Sequence, residues 1–338
     1  MSIPSARSAH TLAQNATFLS PVEQELKLVD EILEHELVSS VRTISLLTRH
    51  IIRAGGKRLR PSLVLLSAKA CASEVDMEKL LRMAAVTEMV HMATLIHDDV
   101  IDAADSRRGR PTANSRWGNQ ISVLAGDYVV AKAFAILSEF VDSRTMKVLS
   151  HATMAMTEGE ISQIESKGDT EAQTAYYLSI IRDKTAAFTS GCCEVGAILA
   201  GAGEVAEECL AQYGLDLGMA FQITDDILDL VGEPSVTGKP VGGDIREGKI
   251  TLPLILALQH CTQSERELIE EIVHNSDASD EEIDQIRQIA QRTGAVEGAR
   301  ESAREFVEQA VDDLMPLPDT EAKNSLIELA QYVLHREK

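Results

Sequence analysis

The chain has 338 residues, a net charge of −21 and an aromatic share of only 4%. A surface that acidic argues against nucleic acid as a partner, because such affinity rests on many Lys/Arg–phosphate contacts. The five cysteines (Cys71, Cys192, Cys193, Cys209, Cys261) are odd in number and lack CxxC spacing. Without a secretory signal, they point to a reducing, cytoplasmic setting and away from structural zinc.

Residues 1–20 carry Arg7, Ser2, Ser5 and Ser8 and no acid; they read as a flexible tail rather than a transit peptide. From residue 21 to 338 no shift in composition marks a boundary, so one domain is expected. Its apolar runs are built from Ala, Leu, Ile and Val, which favours packed helices over a sandwich or barrel. Glu23–His35 is charged and amphipathic, and Val38–Ala54 repeats apolar residues at three and four. Gly55-Gly56 stops that helix, and Pro61 suits the first position of the next. Helical periodicity continues through Met77–Ile101, Ile121–Phe140, Thr145–Ile164, Ala172–Ala200 and Glu204–Leu230. Beyond these come Leu252–Gln259, Ser264–Val273, Asp280–Thr293, Val296–Leu314 and Asp319–His335. Ser279 with Glu282 forms a capping-box signature. No strong hairpin signal competes, and no run reaches the ~18 uninterrupted apolar residues of a membrane span. The interruptions fall at 103–120, 166–172 and 232–249; the last, GEPSVTGKPVGGDIREGK, is long, Gly- and Pro-rich and charged, as active-site lids often are. The expected fold class is all-α, a single-domain helical bundle.

Two of these helices share a D-D-x-x-D core, in LIHDDVID and QITDDILD. Residues four apart face the same way on a helix. Asp98 and Asp102 therefore project together, as do Asp225 and Asp229, while Asp99 is turned away by about 100°. Like charges one turn apart cost a few tenths of a kcal/mol even in water, and a bound cation relieves that cost. All-oxygen ligands point to Mg²⁺ rather than zinc. A merely solvated polar face is the bland reading; its repetition in two apolar helices, each followed by a basic loop, weighs against it.

Mg²⁺ held by few carboxylates usually shares its shell with substrate phosphates. The basic residues supply the other half of an anion site. Lys57 and Arg60 lie in a turn before a helix N-terminus, where backbone N–H groups and the dipole also favour phosphate. Arg107 and Arg108 follow the first carboxylates; Lys239 and Lys249 follow the second. His91, two turns before Asp98, and Gln222, three residues before Asp225, read equally well as packed side chains.

In this order and spacing, GGKRLRP (55–61), HMATLIHDDVID (91–102), RRG (107–109), DKT (183–185), FQITDDILD (221–229) and GKPVGGDIREGK (238–249) resemble the trans-isoprenyl diphosphate synthases. The resemblance covers nearly the whole chain from about residue 25. It implies the isoprenoid synthase fold with a deep central cavity, a homodimer, three Mg²⁺ ions, and two substrates: isopentenyl diphosphate and an allylic diphosphate such as farnesyl or geranylgeranyl. Carried over by residue, Asp98 and Asp102 would hold two Mg²⁺ and Asp225 the third. Arg107, Lys184, Thr185, Gln222, Lys239 and Lys249 would hold or neutralise the allylic diphosphate. Lys57, Arg60, His91 and Arg108 would hold that of isopentenyl diphosphate, with Asp99, Asp226 and Asp229 as water-mediated partners.

The small residues Ala93 and Thr94 before the first motif resemble those of long-chain synthases, octaprenyl to decaprenyl, that make quinone side chains. Phe134 and Phe140 are either a floor to the product channel or ordinary core. A geranylgeranyl diphosphate synthase and a non-catalytic partner subunit are the alternatives. A class I terpene cyclase would carry a different second metal motif and more aromatics. No stable membrane anchor is expected, although a greasy product implies transient membrane contact at release.

Overall fold

The helical periodicity sorts into two compact units, each assembled from separate stretches of chain, in the computed structural model of the protein. The structure describes residues 17–72, 74–107, 109–232, 241–275 and 278–336. One unit runs to Leu149 and takes in Cys192–Glu208 and Leu317–Leu326. The other comprises Ser150–Gly191, Cys209–Pro316 and the segment from Ile327 onward.

The first unit begins with a 3₁₀ turn, Thr17–Val22, whose Phe18, Leu19 and Val22 are buried. The expected tail is therefore too long at its inner end, because three apolar side chains in five residues find core contacts; residues 1–16 lie outside the described residues. Helix α1 (Glu23–Glu36) follows and is tied to α3 (Leu59–Cys71) by Lys69, which donates to Glu25 at 2.5 Å and to the Pro21 carbonyl at 2.6 Å. Helix α2 spans Arg42–Ala54 rather than starting at Val38. Ser39 and Ser45 exchange hydrogen bonds, and Thr48 donates to the Leu37 carbonyl at 3.0 Å. Side chains thus satisfy the backbone there in a non-helical form.

Helix α4 (Met77–Ile101), capped by Asp76, packs against α3 and against α6 (Asn119–Phe140). A Cβ at Gly126 of α6 would lie 2.2 Å from His97 Nε2 of α4, so a larger residue there would make the imidazole swing away. Between α4 and α6 come a two-residue antiparallel ribbon, β1 (Ser106–Arg107) with β2 (Arg110–Pro111), and the short helix α5 (Ala113–Trp117). By length and composition α6 is apolar enough to cross a membrane, yet it carries Asp127, Lys132 and Glu139 and buries Ser122, Ala125, Val129, Ala133, Ile136 and Leu137 in this unit.

Helix α7 (Ser143–Glu165) has residues in both units. The run expected to be one helix over Ala172–Ala200 is instead α8 (Thr174–Ile181), a π-turn (Arg182–Ala186) and α9 (Ala187–Leu199). Helix α10 (Glu204–Val231) carries the second aspartate motif. Beyond it lie α11 (Gly243–Arg246), α12 (Leu252–His260), α13 (Gln263–Val273), α14 (Asp280–Arg292), α15 (Ala295–Asp313) and α16 (Glu321–His335). The capping box at Ser279–Glu282 is present, and a second one, Thr262–Glu265, starts α13. The core of the second unit gathers Ile223, Leu252, Ile255, Ile269, Ile286 and Ala299.

The second unit also holds an acid pair, buried Asp216 of α10 and half-buried Asp313 of α15. Burial pushes Asp313 up to about 7, with a hydrogen bond and repulsion from Asp216 adding to the shift. Burial likewise raises Asp216, opposed by the Gln212 amide, which donates at 2.9 Å. Carboxyls raised on folding stabilise the protein below their unfolded value, and that stability is lost as pH rises through the folded value. Asp313→Asn is expected to raise the melting temperature relative to wild type at pH 8 more than at pH 6, by on the order of 1–2 °C. Thermal melts at the two pH values check this; an equal difference at both would refute it.

Candidate active site

The last turns of α4 set the first carboxylates. Asp98 and Asp102 are both half-buried, and the Asp102 backbone N–H closes the helix on the Asp98 carbonyl at 2.8 Å. Asp99, turned away from them, is buried and accepts from Arg107 Nε at 2.7 Å. Arg107 is delivered by the ribbon, whose reversal uses Gly109 at φ 70°. Strands of two residues are too short to show alternation, which is why the sequence carried no hairpin signal. Arg107 thus arrives beside the motif already paired with the one aspartate that does not share the Asp98 face. Arg108 lies outside the described residues.

Arg107 and Asp99 line a cleft in the first unit together with His50, Arg58, Glu88 and His91. His91 is half-buried and lines that cleft, which removes the reading of it as an enclosed core residue. The GGKRLRP turn forms another wall of the cleft. Lys57 and Arg60 are half-buried, and Pro61 takes the third place of α3, still in its first turn. Between them Arg58 adopts a left-handed backbone, φ 49° and ψ 36°. Its side chain reaches Asp30 of α1 at 2.8 Å and Glu88 of α4 at 2.6 Å. The sequence reading missed Arg58, Asp30 and Glu88. An acid in an apolar run such as AAVTEMVHM is the signal that could have found Glu88.

The expected chain-length residues divide. Ala93 has no accessible surface, and a five-residue spacing places it roughly 140° around the helix from Asp98. Thr94 is half-buried and lies on the Asp98 side, its hydroxyl donating to the His91 carbonyl at 2.8 Å. Phe134 is 41% exposed, so it is not ordinary core. Phe140 has the Arg82 guanidinium 5.0 Å over its ring.

In the second unit α10 presents Asp225, Asp226 and Asp229. Asp226 is buried and fully hydrogen-bonded: Tyr177 OH donates to Oδ2 at 2.6 Å and Gln222 Nε2 to Oδ1 at 2.8 Å. Gln222 in turn accepts from Thr185 at 2.8 Å, so both expected ligands, Gln222 and Thr185, belong to one chain of bonds ending on Asp226. Asp229 accepts from the Asp244 backbone N–H at 3.0 Å. Burial pushes Asp226 up to about 7, the Tyr177 and Gln222 bonds opposing it and repulsion from Asp225 and Asp229 adding to it. Burial also raises Asp229, and Asp244 well above the ordinary range, with Asp229 and Asp226 repelling Asp244. The Tyr177 hydroxyl is driven up by the same burial and by Asp226.

Lys184 and Thr185 sit on the π-turn, a helix irregularity common at functional sites. Two glycines admit it: a Cβ at Gly159 would lie 2.4 Å from Lys184 N, and one at Gly218 2.5 Å from Ala186 Cα. Lys184 pairs with Glu160 at 2.5 Å and donates to Gln163 at 2.6 Å. Lys249 pairs with Glu247 at 2.5 Å and is the cation that pulls Asp244 downward. Lys239 lies outside the described residues. Arg336 was not foreseen: it donates to Asp225 at 2.6 Å and rests 4.2 Å over the Phe221 ring.

The donors fit a hard divalent cation. Asp98 with Asp102, and Asp225 one turn from Asp229, are oxygen-only carboxylates that remain at least partly accessible, and the repulsion of Asp229 by Asp225 is what a positive ion would offset. Among the described residues no three His, Cys, Asp or Glu side chains already converge on one point. Such an ion would then take part of its shell from a phosphate-bearing ligand, as Mg²⁺ characteristically does.

Comparison with known proteins agrees. A family model described as polyprenyl synthetase matches residues 41–290. The all-trans-nonaprenyl-diphosphate synthase (geranyl-diphosphate specific) of Rhodobacter capsulatus is 37% identical over 318 residues, covering 94% of this chain and 97% of that one. Heptaprenyl diphosphate synthase component 2 of Bacillus subtilis is 36% identical over 308 residues, covering 90% and 86%. The crystal structure of a polyprenyl synthase from Caulobacter crescentus, complexed with calcium and isoprenyl diphosphate, superposes with a TM-score of 0.90 at 34% identity, covering 95% of this chain and 97% of that one. The relatives are named for products of more than one length. With the motif residues of both aspartate helices in place, the chain belongs to the polyprenyl synthetase family and is an all-α prenyltransferase, a trans-prenyl diphosphate synthase of a family that uses divalent metal and isoprenyl diphosphates.

Proposed function

We propose that the protein condenses isopentenyl diphosphate head-to-tail with farnesyl or geranylgeranyl diphosphate, using Mg²⁺, to a long-chain product of octaprenyl to decaprenyl length for quinone side chains. One observation carries the reading. Half-buried Asp98 and Asp102 share one helix face, while the neighbouring buried Asp99 anchors Arg107 at 2.7 Å. The carboxylates read as metal ligands and the arginine read as a phosphate ligand are thereby held together at the end of one helix, Arg107 reaching it from the ribbon.

In this reading Asp98 and Asp102 hold two Mg²⁺ and Asp225 holds the third, as in the family. When bound, the ions supply positive charge that stabilises the leaving diphosphate. Arg107, Lys184, Lys249 and Lys239 draw on the same charge as it develops; such preorganised electrostatics is usually the largest catalytic contribution. The Lys184 ammonium already faces a carboxylate, so exchanging it for a phosphate oxygen needs no new charge. Lys57, Arg60, His91 and Arg108 hold isopentenyl diphosphate. The allylic C–O bond breaks, the isopentenyl double bond attacks the resulting cation, and a proton leaves, with the departing diphosphate as base.

Thr94, small and partly accessible on the Asp98 side, supports a path for product growth along α4. Exposed Ile121, Leu124 and Phe134 on α6 support a homodimer, since apolar groups spaced along one helix favour a partner surface. The reading takes the protein as cytoplasmic, with transient membrane contact when the greasy product is released; its five free cysteines are compatible with that setting.

Purified protein given isopentenyl diphosphate, farnesyl diphosphate and Mg²⁺ is expected to form long-chain product. No elongation, with or without an added second subunit, would overturn the reading; elongation only with that subunit would make this chain the catalytic member of a pair. Asp98→Ala is expected to lower kcat/KM about a hundredfold or more, the usual scale for losing one electrostatic stabiliser. A loss under tenfold in the same assay would remove Asp98 from the metal site. Thr94→Phe should shorten the product, read by chromatography of the dephosphorylated prenols. An unchanged length distribution would take Thr94 off the path.

A further inference from the structure

We infer that Arg58 is the positioning residue of the turn that holds isopentenyl diphosphate: its fork onto Asp30 and Glu88 fixes the direction of Lys57 and Arg60. The inference rests on the reading above that Lys57 and Arg60 bind that diphosphate. Three observations meet on Arg58. Its backbone is left-handed, at φ 49°, a strained conformation that a non-glycine residue holds only where its surroundings enforce it. The guanidinium is mostly buried, its side chain only 13% exposed, and bonds two acids on different helices, Asp30 at 2.8 Å and Glu88 at 2.6 Å. Its carbonyl accepts from the Ser62 backbone N–H at 3.0 Å and from the Ser62 hydroxyl at 2.8 Å, closing the first turn of α3.

The side chain pulls the turn toward α1 and α4, and the backbone it strains is the link between Lys57 and Arg60. Glu88, with a side chain 5% exposed, is the deeper anchor. It stands one turn before His91 on α4, so the fork also sets the turn against the helix that carries another diphosphate ligand. Lysine could reach one acid but not fork between two, because its single ammonium lacks the planar pair of donors. Glycine would adopt the same φ without strain but would hold neither acid. The two variants therefore separate backbone shape from the ionic fork.

Steady-state kinetics are measured for wild type, Arg58→Lys, Arg58→Gly and Lys57→Ala, each checked by thermal melting. Arg58→Lys and Arg58→Gly are both expected to raise KM for isopentenyl diphosphate about tenfold, with kcat and the allylic KM within about twofold of wild type. Normal isopentenyl KM in both would overturn the inference; so would normal KM in Arg58→Gly alone, which would leave backbone shape sufficient. If either variant melts early enough to lose its fold, Asp30→Asn, at the more exposed arm of the fork, is expected to raise the same KM about threefold, and no rise there overturns the inference. If Lys57→Ala leaves the isopentenyl KM unchanged, the assignment of the turn itself fails, a result distinct from failure of Arg58 alone.

Discussion

Buried negative charge is the constraint on which the rest of this structure depends. Carboxylates placed in apolar helices lose hydration, and each needs a cation, a proton or strong hydrogen-bond donors. The first unit pairs them: Glu88 receives Arg58 and Asp99 receives Arg107. Among the described residues the second leaves more charge uncovered: Asp226 takes the neutral donors Tyr177 and Gln222, and Asp229 a backbone N–H. Burial, with repulsion among the aspartates adding to it, raises the proton affinity of both. A protein whose own side chains leave a carboxylate group under-neutralised is built to take a cation from outside, and a diphosphate accompanied by divalent metal brings one. Arg336 on Asp225 fits the same logic, covering the most exposed member of the group with a guanidinium seated on Phe221.

Irregular backbone appears where cations are delivered. Arg58 occupies a left-handed conformation between Lys57 and Arg60, and the π-turn carries Lys184 and Thr185. Both cost conformational energy and both are enforced by neighbours: the two acids in one case, the close backbone contacts at Gly159 and Gly218 in the other. A regular helix through 174–199 would rotate Thr185 relative to Gln222. The extra residue in the turn lets the Thr185 hydroxyl reach the Gln222 amide at 2.8 Å.

Long helices and the aspartate motifs were legible in the sequence because both depend on local spacing. Met77–Ile101 matches residue for residue, and Glu204–Leu230 falls one residue short. What was hidden depends on contacts far apart in the chain. Nothing in RDKTA distinguishes a π-turn from an α-turn; the glycines that admit it lie 25 and 34 residues from Lys184. Arg58 looked like one more basic residue in GGKRLRP, and only its partners, 28 and 30 residues distant, set it apart from Lys57. Asp244 sat in a loop read for its lysines, and its placement against Asp229 is a tertiary fact.

Helix α4 shows why such a functional element can look like plain core. With 3.6 residues per turn, its side chains divide among three directions. Thr94, Asp98 and Asp102 share one; Glu88, Met92 and Asp99 share a second, and His91, between the two, lines with that second group the cleft that also holds Arg58 and Arg107. His97 marks the third, against Gly126 of α6. A helix engaged on every side has little left to give solvent, so it buries Met83, Ala84, Val86, Met89 and Ile96 among others and shows no strong amphipathic stripe. Apart from the exposed Glu78 of its first turn, its acids are then not surface decoration. Glu88 and Asp99 sit where burial makes an ionised carboxylate expensive, and they persist there because an arginine from another element meets each. Apolarity on all sides and isolated acids have one cause: the helix is the shared wall of the Asp98–Asp102 face, the cleft of Arg58 and Arg107, and the packed core.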